Sequence, residues 1–155
     1  MKYIIFFFTL FLFSACSLKV YEKTQSKIIT IKTKKFRFSD LGYVRSGSSG
    51  VELELFAAGK SLFKVEISNL ICTDEGCLRK KSFNEEYLSK DYPENLLQNV
   101  ILGKAIYEAR NLEKNSYGFS QNISNETVDI SYSVVFDEIY FKDRANNILI
   151  KIRDN

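Results

Sequence analysis

The chain contains no histidine, and this absence excludes several kinds of active site at once. Without an imidazole there is no Ser-His-Asp triad, no histidine general base and no histidine ligand for zinc. Gly59-Lys60-Ser61 looks like the end of a phosphate-binding loop, but that pattern requires glycine where Glu54 stands. We therefore expect a protein that is not an enzyme and that holds neither a metal nor a cofactor.

A pair of carboxylates is the catalytic alternative that remains without histidine. Asp129, Asp137 and Glu138 lie near aromatic residues in the sequence. A glycosidase requires two carboxylates in one cleft, roughly 5–10 Å apart. Acidic residues beside strands usually belong to a solvated face, so we do not expect these three to form such a site.

The charge of the chain is nearly balanced, with 22 Lys and Arg against 19 Asp and Glu. This balance argues against nucleic acid as the main partner. A local basic stretch is formed by Lys32, Lys34, Lys35 and Arg37. We interpret it as a solvated surface, and contact with anionic lipid headgroups is the alternative.

The N-terminal segment has the order of residues found in a secretory signal. Lys2 supplies a positive start, an apolar run extends from Tyr3 to Phe13, and Ser14-Ala15-Cys16 follows. The apolar run is shorter than the roughly 20 residues that a membrane-spanning helix requires. The sequence therefore predicts a signal peptide over residues 1–15.

The end of this segment resembles the lipobox of bacterial lipoproteins, with Phe13 where leucine is commonest in that family. The resemblance implies a diacylglyceryl group on the Cys16 sulfur, cleavage before Cys16 and acylation of the new amino group, commonly with palmitate. Two or more acyl chains anchor a protein stably in a membrane. Ser17 implies, by the same resemblance, the outer membrane and a domain facing the periplasm. An ordinary signal peptide with a chance cysteine is the alternative.

The remaining two cysteines, Cys72 and Cys77, are close together in the sequence. In an exported protein such a pair is most simply a disulfide bond, and Gly76 permits the tight turn that it requires. Free thiols, and a redox or metal site, are the alternatives.

Alternation of apolar and polar residues predicts antiparallel strands along most of the chain. Residues 16–27 are polar enough to predict a lipidated tether, and residues 28–155 a single β-rich domain. Asp40-Leu41-Gly42 predicts an interruption of strand structure. The expected strands cover residues 28–38, a hairpin over 51–67, residues 117–123 and 128–134, and a second hairpin over 139–152.

Two short helices are predicted between the strands, which makes the fold mainly β with an α+β arrangement. Ser82 and Glu85 fit a capping box at the start of the first helix. Pro93 suits the first turn of the second, and Gly103 suits its end.

This order of elements, with Tyr92-Pro93-Glu94-Asn95-Leu96-Leu97 and Leu102-Gly103 around the second helix, is similar to that of the LolA/LolB-like lipoprotein carriers. The resemblance implies a curved antiparallel sheet, or unclosed barrel, with a helical lid over a hydrophobic cavity. In the LolB branch an apolar loop enters the membrane, and Phe56-Ala57-Ala58 is the nearest counterpart. The candidate cavity residues are Phe36, Phe38, Leu53, Leu55, Phe63, Val65, Ile67, Leu96, Leu97 and Val100.

We therefore expect a non-enzymatic lipoprotein of the outer membrane that binds acyl chains or lipidated cargo in a LolB-like cavity. The alternative is a structural or accessory lipoprotein of an outer-membrane complex, with a solid core and a protein partner. A continuous apolar cavity open at one end would favour the first function over the second.

Overall fold

In the computed structural model, which describes residues 19–155, the chain forms one unclosed antiparallel sheet. Two short helices, α1 (Lys80–Tyr87) and α2 (Leu96–Ile101), lie between β6 and β7. The prediction of a mainly β fold with short helices is confirmed, whereas Cys16 and the predicted signal peptide lie outside the described residues. The strands are β1 (Lys23–Lys32), β2 (Arg37–Gly47), β3 (Gly50–Ala57), β4 (Lys60–Ile67), β5 (Leu70–Thr73), β6 (Gly76–Arg79), β7 (Leu112–Asn115), β8 (Gly118–Ser124), β9 (Asp129–Val135), β10 (Glu138–Asp143) and β11 (Ile148–Asp154).

The first and last strands pair in the middle of the sheet. The strand order is β6-β5-β4-β3-β2-β1-β11-β10-β9-β8-β7. Ile29 lies opposite Ile152, and Ile31 lies opposite Ile150. Strands β6 and β7 are therefore the two edges, and the helices lie in the connection between them.

One face of the sheet carries the apolar core, because successive side chains of a strand point to opposite faces. Leu53, Val65 and Ile150 are each at most 3% exposed and belong to the same apolar cluster as the buried side chains of α2. Each side chain of this kind contributes roughly 1.5–3 kcal/mol when fully buried. The core thus joins both halves of the sheet to the helical connection. Within the described residues, neither helix has the length and apolar character needed to span a membrane.

The predicted strand over residues 28–38 is two strands joined by a tight turn. Thr33 makes this turn, since its Oγ1 accepts hydrogen bonds from the backbone N–H groups of Phe36 at 3.0 Å and Lys35 at 3.3 Å. A threonine hydroxyl can satisfy a turn in this way without glycine or proline. The turn has no conspicuous sequence signal for that reason.

The predicted interruption at Asp40-Leu41-Gly42 is wrong, because β2 runs through it. Glycine at position 42 is explained by packing and not by a turn. A Cβ atom at this position would lie 2.8 Å from the Glu54 carbonyl oxygen on β3 and would also meet the Ile29 side chain on β1. The glycine therefore marks a close approach between neighbouring strands.

The two helices differ in how well their ends were predicted. The capping box at Ser82 is wrong, because α1 begins at Lys80 and no side chain caps it. For α2 the predicted start is wrong, because the helix begins at Leu96 and Pro93 lies two residues before its N-cap, Asn95. Its predicted end is correct: Gly103 has a φ of +63° and its N–H donates to the Val100 carbonyl at 3.1 Å. Glycine is the residue that adopts this left-handed end at least cost.

After α2 the chain makes a left-handed turn that the apolar pattern does not reveal. Tyr107, Glu108 and Ala109 have φ values of 46°, 55° and 62°. The buried Gln121 side chain holds this turn by accepting from Ile106 N–H at 2.8 Å and donating to the Ile106 carbonyl at 3.0 Å. A buried amide that satisfies both backbone groups offsets the cost of the unfavourable conformation.

The predicted boundary between tether and domain is too late in the sequence, because β1 already begins at Lys23. The preceding residues also contact the domain. Val20 N–H donates to Ser49 Oγ at 2.7 Å, Glu22 N–H donates to the Ser46 carbonyl at 3.0 Å, and Lys19 forms an ion pair with Glu66. Residues 19–22 are therefore docked beside the β2–β3 connection.

We predict that Gly42→Ala destabilises the fold by about 1–3 kcal/mol, the usual cost of overpacking a tight site. The added methyl group must displace either Ile29 or the β3 backbone. Chemical denaturation measures the loss. Ser39→Ala on the same strand is the control, because Ser39 is exposed and surface substitutions usually change stability by less than about 0.5 kcal/mol. Equal losses in the two variants would contradict the close-approach explanation.

Candidate functional site

A cavity of about 380 Å³ lies between the inner face of the sheet and the two helices. Its size falls at the lower end of the roughly 300–1,000 Å³ that is typical of small-molecule sites. The interior is apolar, and charged side chains occur near its mouth. The lining residues are Ile31, Thr33, Lys35, Phe36, Leu53, Phe63, Val65, Glu75, Phe83, Glu86, Tyr87, Leu88, Leu97, Ile101 and Ile150.

Half of the residues proposed from the sequence line this cavity. These are Phe36, Leu53, Phe63, Val65 and Leu97. The strand residues among them share the inner face of the sheet, and the Phe36 and Phe63 rings pack together with their centroids 5.1 Å apart. Alternation along the strands therefore predicted the correct face.

The other five proposed residues do not line the cavity. Leu96 and Val100 lie four residues apart on α2 and form a face beside the one that carries Leu97 and Ile101, which do line the cavity. All five are buried in the adjoining core: Phe38, Leu55, Ile67, Leu96 and Val100.

Helix α1 forms a wall of the cavity that the sequence-based prediction omitted. The Phe83 and Tyr87 rings are stacked with centroids 4.6 Å apart, and Leu88 follows at the end of the helix. The spacing of Phe83 and Tyr87 is a recognisable signal for one helical face. Nothing in the sequence indicates which part of the sheet that face contacts.

Three polar contacts cross the mouth of the cavity. Lys35 Nζ lies 3.0 Å from Glu86 Oε1 and 4.7 Å from the centre of the Tyr87 ring. Tyr87 OH donates to Glu75 Oε2 at 2.8 Å, and this hydrogen bond, together with burial, raises the pKa of Tyr87 to about 12. The contacts connect the β1–β2 turn, α1 and the β5–β6 turn.

The disulfide bond predicted between Cys72 and Cys77 is present, with an S–S distance of 2.07 Å. The two cysteines lie directly opposite each other on β5 and β6. Glu75 lies in the turn that this bond closes. The disulfide therefore holds the hairpin that supplies one of the polar contacts at the mouth.

A buried polar cluster fixes the segment that leads into α2. Asp143 is fully buried and accepts hydrogen bonds from Tyr92 OH at 2.6 Å, Asn146 Nδ2 at 2.7 Å and Asp129 N–H at 3.0 Å. Burial first, and then the Asp143 carboxylate, raise the pKa of Tyr92. Tyr92 thus stays protonated and ties the segment before α2 to the β10–β11 turn.

Of the three carboxylates considered for catalysis, Asp129 is not brought near the other two. Asp129 begins β9 and lies 3.5 Å from Arg144, whereas Asp137 and Glu138 lie beyond the other end of that strand. Six residues of extended strand correspond to roughly 20 Å. Within residues 19–155, no group of three or more Cys, Asp and Glu side chains is arranged to hold a metal ion.

Comparisons with protein-family models, with curated proteins and with solved structures find no match to this chain. Its function is therefore inferred from the cavity, the disulfide bond and the N-terminal sequence.

We predict that replacing both disulfide cysteines, in Cys72→Ser/Cys77→Ser, lowers the free energy of unfolding by about 2 kcal/mol, the loop-closure value for so short a loop. Denaturant titration under oxidising conditions measures the difference. A reducing agent is the control: it should lower the stability of the wild type to that of the variant and leave the variant unchanged. A wild type that is insensitive to reduction would contradict the prediction.

Proposed function

We propose that the protein is a lipid-anchored protein of the bacterial cell envelope that binds an acyl chain, free or attached to lipidated cargo, in the cavity described above. The observation that carries this proposal is an apolar cavity of about 380 Å³ with charged side chains at its mouth. In this proposal the sheet acts as an unclosed barrel, and α1 and α2 act as its lid. No catalytic residue is required.

The distribution of polar groups suits an amphipathic ligand. Each methylene group transferred from water contributes about 0.8 kcal/mol, so the apolar interior favours a hydrocarbon chain. The polar end of the ligand remains at the mouth, beside the Lys35 ammonium group, which has three N–H donors and contacts Glu86 Oε1 at 3.0 Å. The acyl chain of the ligand is thus buried while its polar head group stays in contact with water.

The ion pair that closes the mouth contributes little free energy. The Lys35 and Glu86 side chains are 50% and 46% exposed. Ion pairs with this exposure contribute about 0–1 kcal/mol. Separation of the Lys35 and Glu86 side chains therefore opens the mouth at small cost. The buried Phe83 and Asn84 hold α1 in place, and the disulfide holds the β5–β6 hairpin.

The location follows from the N-terminal sequence. Cys16, preceded by Ser14 and Ala15, is proposed to carry the acyl groups that hold the protein on the outer membrane, facing the periplasm. The disulfide bond agrees with an oxidising compartment outside the cytoplasm. Membrane attachment and cavity binding are independent of each other, since the anchor lies outside the domain that forms the cavity.

We predict that Leu88→Trp weakens acyl-chain binding about tenfold, because an indole that fills space for two methylene groups removes about 1.6 kcal/mol. A chain beginning at Lys19 is first checked for cooperative unfolding. It is then titrated with a dansyl-labelled fatty acid, and unlabelled palmitate or a lipopeptide is added to displace the probe.

Leu102→Trp is the matched control. Leu88 and Leu102 are both half-buried leucines at the C-terminal ends of the two helices, but Leu102 does not line this cavity. Unchanged binding in the control and weak binding in Leu88→Trp are expected. Absence of saturable binding to the wild type would overturn the cavity function and favour an accessory role in a protein complex.

We predict that cells fed labelled palmitate incorporate the label into the wild type and not into Cys16→Ser. Cys72→Ser is the control, because it removes a cysteine that is outside the lipobox and should keep the label. Incorporation is measured on the purified chains after delipidation. An unlabelled wild type would contradict the anchor, as would a label that persists in Cys16→Ser.

A further inference from the structure

The connections between strands divide into two groups, because consecutive antiparallel strands turn alternately at opposite ends of a sheet. One group contains residues 48–49, 68–69, 116–117 and 136–137, together with the docked residues 19–22. We call it the apolar end. The other group, the charged end, contains residues 33–36, 58–59, 74–75, 125–128 and 144–147.

The two ends differ sharply in the charge of their connections. Among its strand-connecting residues, the apolar end has one charged side chain, Asp137. Its docked segment adds Glu22 and also Lys19, which is paired with Glu66. The charged end has both signs of charge on its connections, at Lys34, Lys35, Asp74, Glu75, Glu126 and Arg144. A water-exposed surface is ordinarily rich in charge, so the apolar end is the unusual one.

Exposed apolar side chains are concentrated at the same end. In the part of the chain that the structure describes, the large exposed hydrophobic residues are Val20, Leu62, Leu70, Tyr117 and Phe136. All except Leu62 lie at the apolar end. Single exposed apolar residues are normal, but several on one surface indicate a contact with another apolar phase or protein.

Tyr117 and Phe136 form the most prominent part of this surface. They are 61% and 72% exposed, and their ring centroids lie 4.9 Å apart. Phe136 N–H donates to the Tyr117 carbonyl at 3.1 Å, so two neighbouring turns present the rings as one unit.

The backbone conformation at Phe136 is unfavourable for an aromatic residue. Phe136 and Asp137 have φ values of 49° and 70°, and two-residue turns of this kind favour asparagine and glycine. An aromatic residue here has an unfavourable backbone and leaves its ring in water. Neither feature stabilises the isolated domain.

The N-terminal segment leaves the domain at this same end. Lys19 pairs with Glu66 near the end of β4, and Val20 is bonded to the β2–β3 connection. Cys16 precedes Lys19 by three residues, which span at most about 11 Å. An acyl group on Cys16 therefore reaches a bilayer only if the apolar end is near it.

We propose that the apolar end lies on the surface of a lipid bilayer, with the Tyr117 and Phe136 rings at the depth of the headgroups. Aromatic side chains favour this interface, where part of the ring leaves water and polar groups remain hydrated. The proposal rests on the anchor of the proposed function but is independent of the cavity. Phe56-Ala57-Ala58 lies at the charged end, where the Phe56 ring packs on Tyr43 at 5.5 Å, and has no part in this contact.

The competing orientation puts the basic stretch of β1 and β2 on the membrane. That stretch lies at the charged end, where acidic connections accompany it and Lys35 is already paired with Glu86. Desolvating these acidic groups, or moving them toward anionic lipid, is unfavourable. The experiment below distinguishes the two orientations directly.

The test uses the absence of tryptophan from the chain. The full chain is produced with its lipid anchor and reconstituted into vesicles of phosphatidylethanolamine and phosphatidylglycerol with brominated acyl chains. Phe136→Trp then contains the sole indole, and Tyr117→Trp is a second variant at the same surface. Leu62→Trp is the control, because Leu62 is 56% exposed and lies on β4 near the charged end.

Bromine quenches only an indole that contacts the lipid. We expect about twofold weaker emission from Phe136→Trp and Tyr117→Trp than in unbrominated vesicles, since both replace interfacial aromatic rings, and no change from Leu62→Trp. Flotation of the vesicles measures attachment separately. Protein that floats with neither apolar-end variant quenched overturns the orientation and leaves the anchor intact.

Three other results would each overturn the proposed orientation. Quenching of Leu62→Trp in place of the other two variants would put the charged end on the bilayer. Blue-shifted emission from Phe136→Trp without quenching would show that protein, for instance a second copy of the chain, covers the aromatic pair. Failure to float would overturn both the anchor and the orientation.

Discussion

The pairing of β1 with β11 is the contact on which the rest of the structure depends. It joins residues from opposite ends of the chain, with Lys27 opposite Asp154 and Lys32 opposite Leu149. Without it, β1–β6 and β7–β11 would be two separate meanders, each with an uncovered apolar face. Because the pairing brings those faces together, the connection from β6 to β7 must pass over the core, and the cavity forms beneath its helices.

Strong and weak interactions are distributed unequally around the cavity. A covalent bond fixes the β5–β6 hairpin, and the buried hydrogen bonds of Asp143 fix the segment that leads into α2. In contrast, α1 meets the β1–β2 turn through exposed polar groups and a cation–π contact. Local opening takes place where few buried contacts resist it. Because Phe83 and Asn84 bury the inner face of α1, the exposed Lys35 and Glu86 side chains are the part of the mouth best suited to move.

The sequence predicted those parts of the fold that depend on local alternation or a single turn residue. The β3–β4 hairpin, the last three strands, the end of α2 at Gly103 and the disulfide are of this kind. The turn at Thr33 is made by a side-chain hydroxyl in place of glycine or proline, so it carries no conspicuous local signal. The passage of β2 through Gly42 depends on contacts with β1 and β3, so no local pattern reveals it. The same is true of the cavity: strand alternation indicated its apolar face, but α1, Lys35 and Glu75 meet only in the folded chain. The exposed aromatic pair was missed because a single phenylalanine in a turn is unremarkable in sequence.

The mouth of the cavity is built from the β1–β2 and β5–β6 connections, and both belong to the charged end of the sheet. A ligand would therefore enter the cavity along the strand direction, at the end of the sheet opposite the Tyr117–Phe136 pair. Under the proposed anchor and orientation, the ligand would enter from the aqueous phase and not from the underlying bilayer. Transfer of the ligand to the underlying bilayer would require either a second opening of the cavity or a tilt of the whole domain about its N-terminal segment.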